Sequence, residues 1–317
     1  MSNRSTDALF QLIKSLEKSE KRNFKLYAQR NTATENLKTV LLFAALDKMN
    51  EYDEKHLLKK ASGIKKQQLS NIKAALYKQI LSSLRLIKEE DNIDISLHEQ
   101  MDHARILFNK GLYLQSLKML DRLKDMATEY QQLTYLQQAL FFEKKIEGLY
   151  ITRSMQDRAE KLSDESTKVS SKLSLVNQLS NLSLQLYGWY IKNGHARNEK
   201  DLKNVRSFFE KNIPVNAGTA KGFYEQLYLF QSYVWYAFIR QDFLHYYRYS
   251  QKWVDLFLQN PVMIKVETGI YLKGIHNLMG AHFSLINTGK LAQTIKQFEQ
   301  FTRQKHLQQN ENNRILA

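Results

Sequence analysis

Residues 223–257, FYEQLYLFQSYVWYAFIRQDFLHYYRYSQKWVDLF, decide the fold class of this chain. The stretch is too long for a single strand and contains neither Pro nor Gly. It carries two of the three tryptophans, Trp235 and Trp253. We predict two amphipathic helices that fold back on each other at Arg240-Gln241-Asp242. Looser copies of the same pattern recur along much of the chain.

The overall composition favours long helices throughout. Of the 317 residues, 43% are hydrophobic, and only two are Pro and 11 are Gly. Pro and Gly disfavour helix interiors by about 3 and 1 kcal/mol, so their scarcity predicts long uninterrupted helices and an all-α fold. The absence of cysteine excludes disulfides, thiolate nucleophiles and Cys-ligated zinc.

The charge is unevenly distributed. The net charge is +15, and residues 1–88 hold 18 Lys and Arg against 8 Asp and Glu. A basic surface favours anionic partners such as nucleic acid, acidic protein segments or anionic lipid. Residues 1–18 lack the apolar core of a signal peptide, and no apolar run reaches the roughly 18 residues of a membrane span. We expect a cytoplasmic protein with no membrane partner.

Residues 1–91 are predicted to form a separate basic bundle of helices. Ser5-Thr6-Asp7 offers candidate caps for its first helix, and Asp53 is a candidate cap for its fourth, which stops near Gly63. The acidic loop Glu89-Glu90-Asp91-Asn92 breaks the helical pattern. We place the domain boundary there, with a repeat domain over 92–309 and a C-terminal tail over 310–317.

A frame of spaced residues recurs in the second region. It consists of a turn residue, an aromatic or bulky residue two positions later, a small residue three further on, and a last position four beyond that. The three copies are Gly111, Tyr113, Ser116 and Leu120; Gln241, Phe243, Tyr246 and Ser250; and Gly289, Leu291, Thr294 and Phe298. Adding turns near Gly194 and Arg153 gives a spacing of 41 to 48 residues. Pro214 and Pro261 each follow a predicted turn by twenty residues, where one hairpin should end.

This frame resembles the tetratricopeptide repeat, whose unit is about 34 residues long. The resemblance covers about two thirds of the chain. It implies a right-handed α-α solenoid of about five helical hairpins. Residues 12–27 are also similar to the opening of a group of uncharacterised bacterial helical-repeat proteins, which adds no activity.

The resemblance also implies a binding groove. In such solenoids the first helix of each hairpin lines a concave surface, here predicted from residues 177–192, 224–240 and 266–287. Polar side chains there could bond a bound peptide's backbone, and a lysine its carboxylates. The groove candidates are Asn177, Asn181, Gln185, Gln231, Trp235, Lys273 and Asn277.

A second pattern points to nucleic acid. Residues 56–72 have the outline of a helix-turn-helix, with Gly63 at the turn and Leu69 and Ile72 packing the second helix back. Four residues before the turn glycine, where such motifs usually have a small residue, this chain has Lys59, which argues against the motif. The candidate contacts to bases and phosphates are Lys65, Lys66, Gln68, Asn71 and Lys73.

Searches for catalytic and metal motifs find nothing. Gly289-Lys290 is followed by Leu291, so no phosphate-binding loop is present. His98 and His103 are five residues apart, which places their side chains about 140° apart on a helix. We predict no cofactor, no metal and no enzymatic activity.

Two functions fit these observations. The first is a non-enzymatic scaffold that binds a protein or peptide segment in the solenoid groove, with an acidic segment as one option. The alternative is a DNA-binding regulator, in which residues 1–91 contact DNA and the solenoid senses a ligand or forms a homodimer.

Overall fold

Helices make up every regular element in the ranges that the computed structural model describes, which are residues 7–29, 34–61, 63–87, 92–149 and 156–303. The all-α prediction is therefore confirmed for this part of the chain. The chain divides into two compact units, Met1–Ser96 and Leu97–Ala317. The predicted tail, 310–317, and the predicted turn near Arg153 lie outside the described residues.

The first unit contains five helices within its described residues: α1 Ala8–Ser15, α2 Lys18–Gln29, α3 Thr34–Asp47, α4 Glu54–Lys60 and α5 Lys66–Ile87. Of the predicted caps, Asp7 and Asp53 are present, whereas Ser5 and Thr6 lie outside the described residues. The Asp7 carboxylate accepts from the Phe10 amide at 3.1 Å, and that of Asp53 accepts from Lys55 at 2.9 Å. The apolar sides of the helices meet in one core that includes Ile13, Phe24, Phe43, Leu57, Leu76 and Ile80.

The described part of the second unit contains ten α-helices. They are α6 Ile93–Asn109, α7 Tyr113–Glu129, α8 Leu133–Leu149, α9 Gln156–Asn193, α10 Glu199–Asn212, α11 Phe223–Ile239, α12 Phe243–Gln259, α13 Pro261–Val266, α14 Thr268–Ser284 and α15 Thr288–Thr302. The division between the units falls within α6. Helix α11 packs against both α9 and α12, and α12 packs against α14. The stretch 223–257 thus forms the predicted hairpin and lies at the centre of this unit.

One turn geometry occurs four times among the residues that the structure describes. Gly111, Gln131, Gln241 and Ile286 have φ values of 76°, 56°, 56° and 55°. In each case the next amide donates to the carbonyl five residues back, as Asp242 does to Ala237 at 3.0 Å and Asn287 to His282 at 2.9 Å. This is the Schellman motif, which satisfies the last carbonyls of a helix.

The predicted turns at Gly111, Gly194 and Gln241 are confirmed by their positive φ values. The turn predicted at Gly289 is misplaced, because α15 begins at Thr288 and the left-handed residue is Ile286. The Asn287 side chain accepts from the Lys290 amide at 3.3 Å, which starts the helix before the glycine. The turn at Gln131 was not predicted.

The repeated frame corresponds to real packing positions. Its small position is buried in all three copies, at Ser116, Tyr246 and Thr294. The Ser116 hydroxyl donates to the carbonyl of Ala104 on the preceding helix at 2.7 Å. A side chain of this size lets α6 and α7 approach closely.

Candidate functional site

The groove candidates are distributed over three helices. Asn177, Asn181 and Gln185 are on α9, Gln231 and Trp235 on α11, and Lys273 and Asn277 on α14. The three α9 residues and Lys273 are exposed, whereas the others are half-buried. The amino-acid spacing therefore did not predict which of these side chains are exposed.

Lys273, on α14, contacts aromatic residues of both α9 and α11. Its Nζ lies 5.4 Å from the ring centre of Tyr187 on α9 and 5.8 Å from that of Trp235 on α11. The two rings contact each other, with their centres 4.9 Å apart. Desolvation lowers the pKa of Lys273. An ammonium ion over aromatic faces is attracted by their negative quadrupole.

Lys273 has no carboxylate partner among the described residues. The sequence explains why. Helix α14 contains no Asp or Glu at all, and α9 contains none from Ser166 to its end at Asn193. A partly desolvated cation without a counter-ion is a site where an anionic group from another molecule can bind.

Two of the predicted contacts are already engaged within the fold. The Ser183 hydroxyl donates to Gln231 Oε1 at 3.3 Å. Asn277 Oδ1 accepts from the Tyr246 hydroxyl at 3.2 Å, and its Nδ2 donates to the Lys273 carbonyl at 2.8 Å. These amides join neighbouring helices, so Asn177, Asn181 and Gln185 remain as the exposed amide contacts.

The sequence reasoning missed a second apolar face on α9. Leu175, Leu179, Leu182 and Leu186 of this helix are buried. Leu184 and Ile191 are 68% and 65% exposed, and Tyr187 is also exposed. These three residues and Gly188 share one side of the helix, and we call them the outer stripe. Its signal in the sequence is a second series of apolar residues at spacings of three and four, offset from the core-facing leucines.

A buried polar link joins the starts of α11 and α14. The Tyr224 hydroxyl donates to Glu267 Oε1 at 2.7 Å and accepts from Gln132 Nε2 at 3.3 Å. Burial and the charge of Glu267 raise the pKa of Tyr224 far above its ordinary value. The tyrosine therefore stays protonated and serves as a structural donor.

The described residues contain no group of three or more His, Asp or Glu side chains that could hold a metal ion. His98 packs edge-on against Tyr135, and His103 lies 4.0 Å from Glu99 of its own helix. No described helix combines the length and apolar character needed to cross a membrane.

In the first unit, Lys65, Lys66, Gln68 and Asn71 are exposed around the start of α5. Lys73 is not the free phosphate contact that the sequence predicted. Its Nζ donates to Asp7 Oδ2 at 2.6 Å and also to the Tyr52 hydroxyl. Desolvation acts to lower the pKa of Lys73, but the bonds to Asp7 and Tyr52 outweigh it and raise the pKa. Asp7, the N-cap residue of α1, therefore pairs with Lys73 on α5, and this lysine is not available to a phosphate.

Gln68 and Asn71 also border a cavity of about 320 Å³ between α3 and α5. Lys38 on α3 donates to Gln68 Oε1 at 3.3 Å. The cavity walls are Lys38, Thr39, Gln68, Asn71, Ile72, Ala75 and Gln79. Two of the predicted nucleic-acid contacts on α5, Gln68 and Asn71, therefore lie on the side of the helix that faces α3.

A scan against protein-family models and searches of the curated proteins and the solved structures give no match for this chain. The resemblance to tetratricopeptide repeats therefore stays a prediction from the sequence.

Proposed function

We propose that this chain is a non-enzymatic scaffold that binds an acidic protein segment on the surface formed by α9, α11 and α14. One observation carries the proposal, which is the position of Lys273 over Tyr187 and Trp235 without a carboxylate partner in the described part of the chain. Exposed Asn181 and Gln185 on α9 supply hydrogen-bonding groups for the same partner.

The proposal includes a right-handed tetratricopeptide-like solenoid of about five hairpins. The pairs would be α6 with α7, α8 with the first half of α9, the second half of α9 with α10, α11 with α12, and α14 with α15. In support, α8 packs on α7 and α9, and α14 on α12 and α15. In this arrangement α9, α11 and α14 supply first helices, which line the groove.

The chemistry favours a carboxylate as the bound group. A hydrogen bond between charged partners contributes about 1.5–3 kcal/mol, more than a neutral one. An ammonium that has already lost part of its water shell requires less further desolvation when the anion arrives. Aromatic side chains beside it provide apolar area for the rest of the segment.

Lys273→Gln should weaken the binding of an acidic peptide about tenfold, because it removes one charge-assisted contact of at least about 1.5 kcal/mol. The probe is a fluorescein-labelled peptide rich in Glu and Leu, titrated by anisotropy against the full chain. Lys252→Gln is the matched control, since Lys252 lies 5.8 Å and 5.3 Å from the Phe230 and Tyr249 rings, away from this surface. Equal losses in both variants would mean that only net charge matters, and no binding at all would refute the proposal.

A second function, DNA binding by the first unit, is favoured by the basic residues around the turn between α4 and α5. Lys59 and Lys60 end α4, and Lys65 and Lys66 precede or begin α5. All four are exposed and have no carboxylate partner among residues 7–29, 34–61 and 63–87. Positive groups clustered across such a turn can contact successive phosphates.

Neutralising Lys65 and Lys66 together, as Lys65→Gln with Lys66→Gln, should reduce the salt dependence of DNA binding. Each lost phosphate contact lowers the slope of log affinity against log salt by about one, so a change of about two is expected. The measurement is anisotropy with a mixed-sequence duplex over a range of salt concentrations. Lys18→Gln with Lys25→Gln removes the same charge from exposed positions on α2. An unchanged slope, or the same change in the control, would exclude this site.

A further inference from the structure

The outer stripe of α9, together with Asn177 and Asn181 before it, has the length of a docking face for another helix. Asn177, Asn181, Leu184, Gly188 and Ile191 follow one another at spacings of three and four residues, which keeps them on one side of a helix. At about 1.5 Å per residue this face is about 21 Å long. It is polar at one end and apolar at the other.

Gly188 has no role inside the chain that would require glycine. It lies in the interior of α9, where glycine is less favourable than alanine, and a Cβ placed on it would meet nothing within 4 Å. Two glycines of α14 differ, since a Cβ on Gly274 would lie 2.9 Å from Trp253 and one on Gly280 would lie 3.2 Å from Tyr246. A glycine facing open space between exposed apolar residues lets a second backbone approach closely.

Charge selects the partner. Lys273 lies over the ring of Tyr187, which belongs to the outer stripe, and Lys192 is exposed next to Ile191. No carboxylate on α14 or on the last 28 residues of α9, from Ser166 to Asn193, offsets these cations. A second copy of the chain, with its net charge of +15, would bring like charge to this face, whereas an acidic partner would neutralise it.

We propose that the outer stripe binds an amphipathic α-helix of a partner protein, with its apolar side on Leu184, Gly188 and Ile191 and a flanking carboxylate on Lys273. This inference rests on the proposed scaffold function and deepens it by naming the form of the segment. The apolar contacts hold the helix, and the close approach at Gly188 sets where it crosses α9. The ion pair with Lys273 favours acidic helices over basic ones.

Three synthetic peptides of about four or five helical turns test the form of the segment. The first is an amphipathic helix with Leu on one side and Glu on both flanks. The second has Lys in place of Glu, and the third has the residues of the first reordered so that the Leu side chains no longer share a face. We expect the acidic amphipathic helix to bind at least tenfold more tightly than either of the others, measured by anisotropy with the full chain.

Two protein variants locate the contact. Gly188→Leu fills the open space and should weaken binding of the acidic helix at least tenfold, while leaving the helical circular dichroism unchanged. Gly148→Leu is the control, because Gly148 is also helical and exposed, with nothing within 4 Å of a Cβ. It should bind as the unchanged chain does.

The other outcomes separate the two proposals. If the reordered acidic peptide binds as well, and only Lys273→Gln weakens it, the helix inference is wrong and the scaffold function stands. If no peptide binds, both are wrong. If Gly188→Leu has no effect on binding, the outer stripe is not the contact. If the chain sediments as a dimer that Gly188→Leu dissociates, the occupant is a second copy and the inference is overturned.

Discussion

Trp253→Ala should lower the free energy of unfolding by about 3–5 kcal/mol, the usual cost of truncating a buried aromatic residue. Trp253 is only 1% exposed and lies in the core shared by α11, α12 and α14. Its ring packs against the backbone of α14 at Gly274, so α12 and α14 lose a main contact together. Urea denaturation followed by helical circular dichroism measures the change.

A double-mutant cycle with Gly274 tests the cause. Gly274→Ala puts a Cβ 2.9 Å from Trp253 Nε1 and 3.0 Å from its Cδ1, which a rigid indole cannot accommodate. The expected cost is about 1–3 kcal/mol, as for other overpacked cores. In the Trp253→Ala background the clash is absent, and the same change should be neutral or stabilising by up to about 1 kcal/mol. If the changes in unfolding free energy were additive, the cost of Gly274→Ala would not come from its contact with Trp253.

Gly188→Ala is the matched control for this cycle. It also replaces a glycine inside a helix, but its Cβ meets nothing within 4 Å. It should stabilise the chain by up to about 1 kcal/mol, through helix propensity alone. If Gly188→Ala lowered the free energy of unfolding, the cost of Gly274→Ala could not be assigned to the contact with the indole alone.

Glu143→Gln should lower the free energy of unfolding by about 1.5–3 kcal/mol, because it removes the buried carboxylate that pairs with two cations. Lys124 and Arg158 keep their second partners, Asp121 at 3.2 Å and Glu147 at 2.9 Å. The Glu143 carboxylate, on α8, accepts from Lys124 of α7 at 2.7 Å and from Arg158 of α9 at 3.1 Å. Glu143 is only 4% exposed. Desolvation acts to lower the pKa of Lys124, but the bond and charge of Glu143 raise it by more.

The control for this network is an exposed pair. Arg206 and Glu210 of α10 are 2.8 Å apart, with both side chains more than half exposed. Exposed pairs contribute about 0.2–1 kcal/mol, so Glu210→Gln should change stability by no more than that. If Glu143→Gln had an equally small effect, the network would be dispensable for joining α7, α8 and α9. Both variants are compared by urea denaturation under the same conditions.

The helices and several turns could be predicted because their causes are local. Asp7 and Asp53 accept bonds from amides two or three residues away, and Gly111 and Gly194 adopt positive φ readily. Gln131 and Ile286 adopt the same backbone conformation without a glycine. There the bonds of the Schellman motif impose the turn, and residue type gives no signal of it.

The candidate site was predictable only in outline. Trp235 and Lys273 were selected as residues of a shared surface, and they do lie together with Tyr187. Lys73 appeared equivalent to Lys65 from the sequence, yet it bonds to Asp7, 66 residues away. Gln231 and Asn277 bond to Ser183 and Tyr246 on other helices. No local pattern encodes such distant partners.

The sequence by itself determined the all-α character, several of the turns between helices, the basic charge, and the absence of carboxylates from α14 and the second half of α9. These properties depend on composition and on hydrogen bonds between residues a few positions apart. Only the tertiary structure decided which of the two apolar faces of α9 is buried, and which lysines are neutralised. Packing brings together residues as distant as Gln132 and Tyr224, 92 positions apart. The free energy of such contacts depends on the burial of the whole unit.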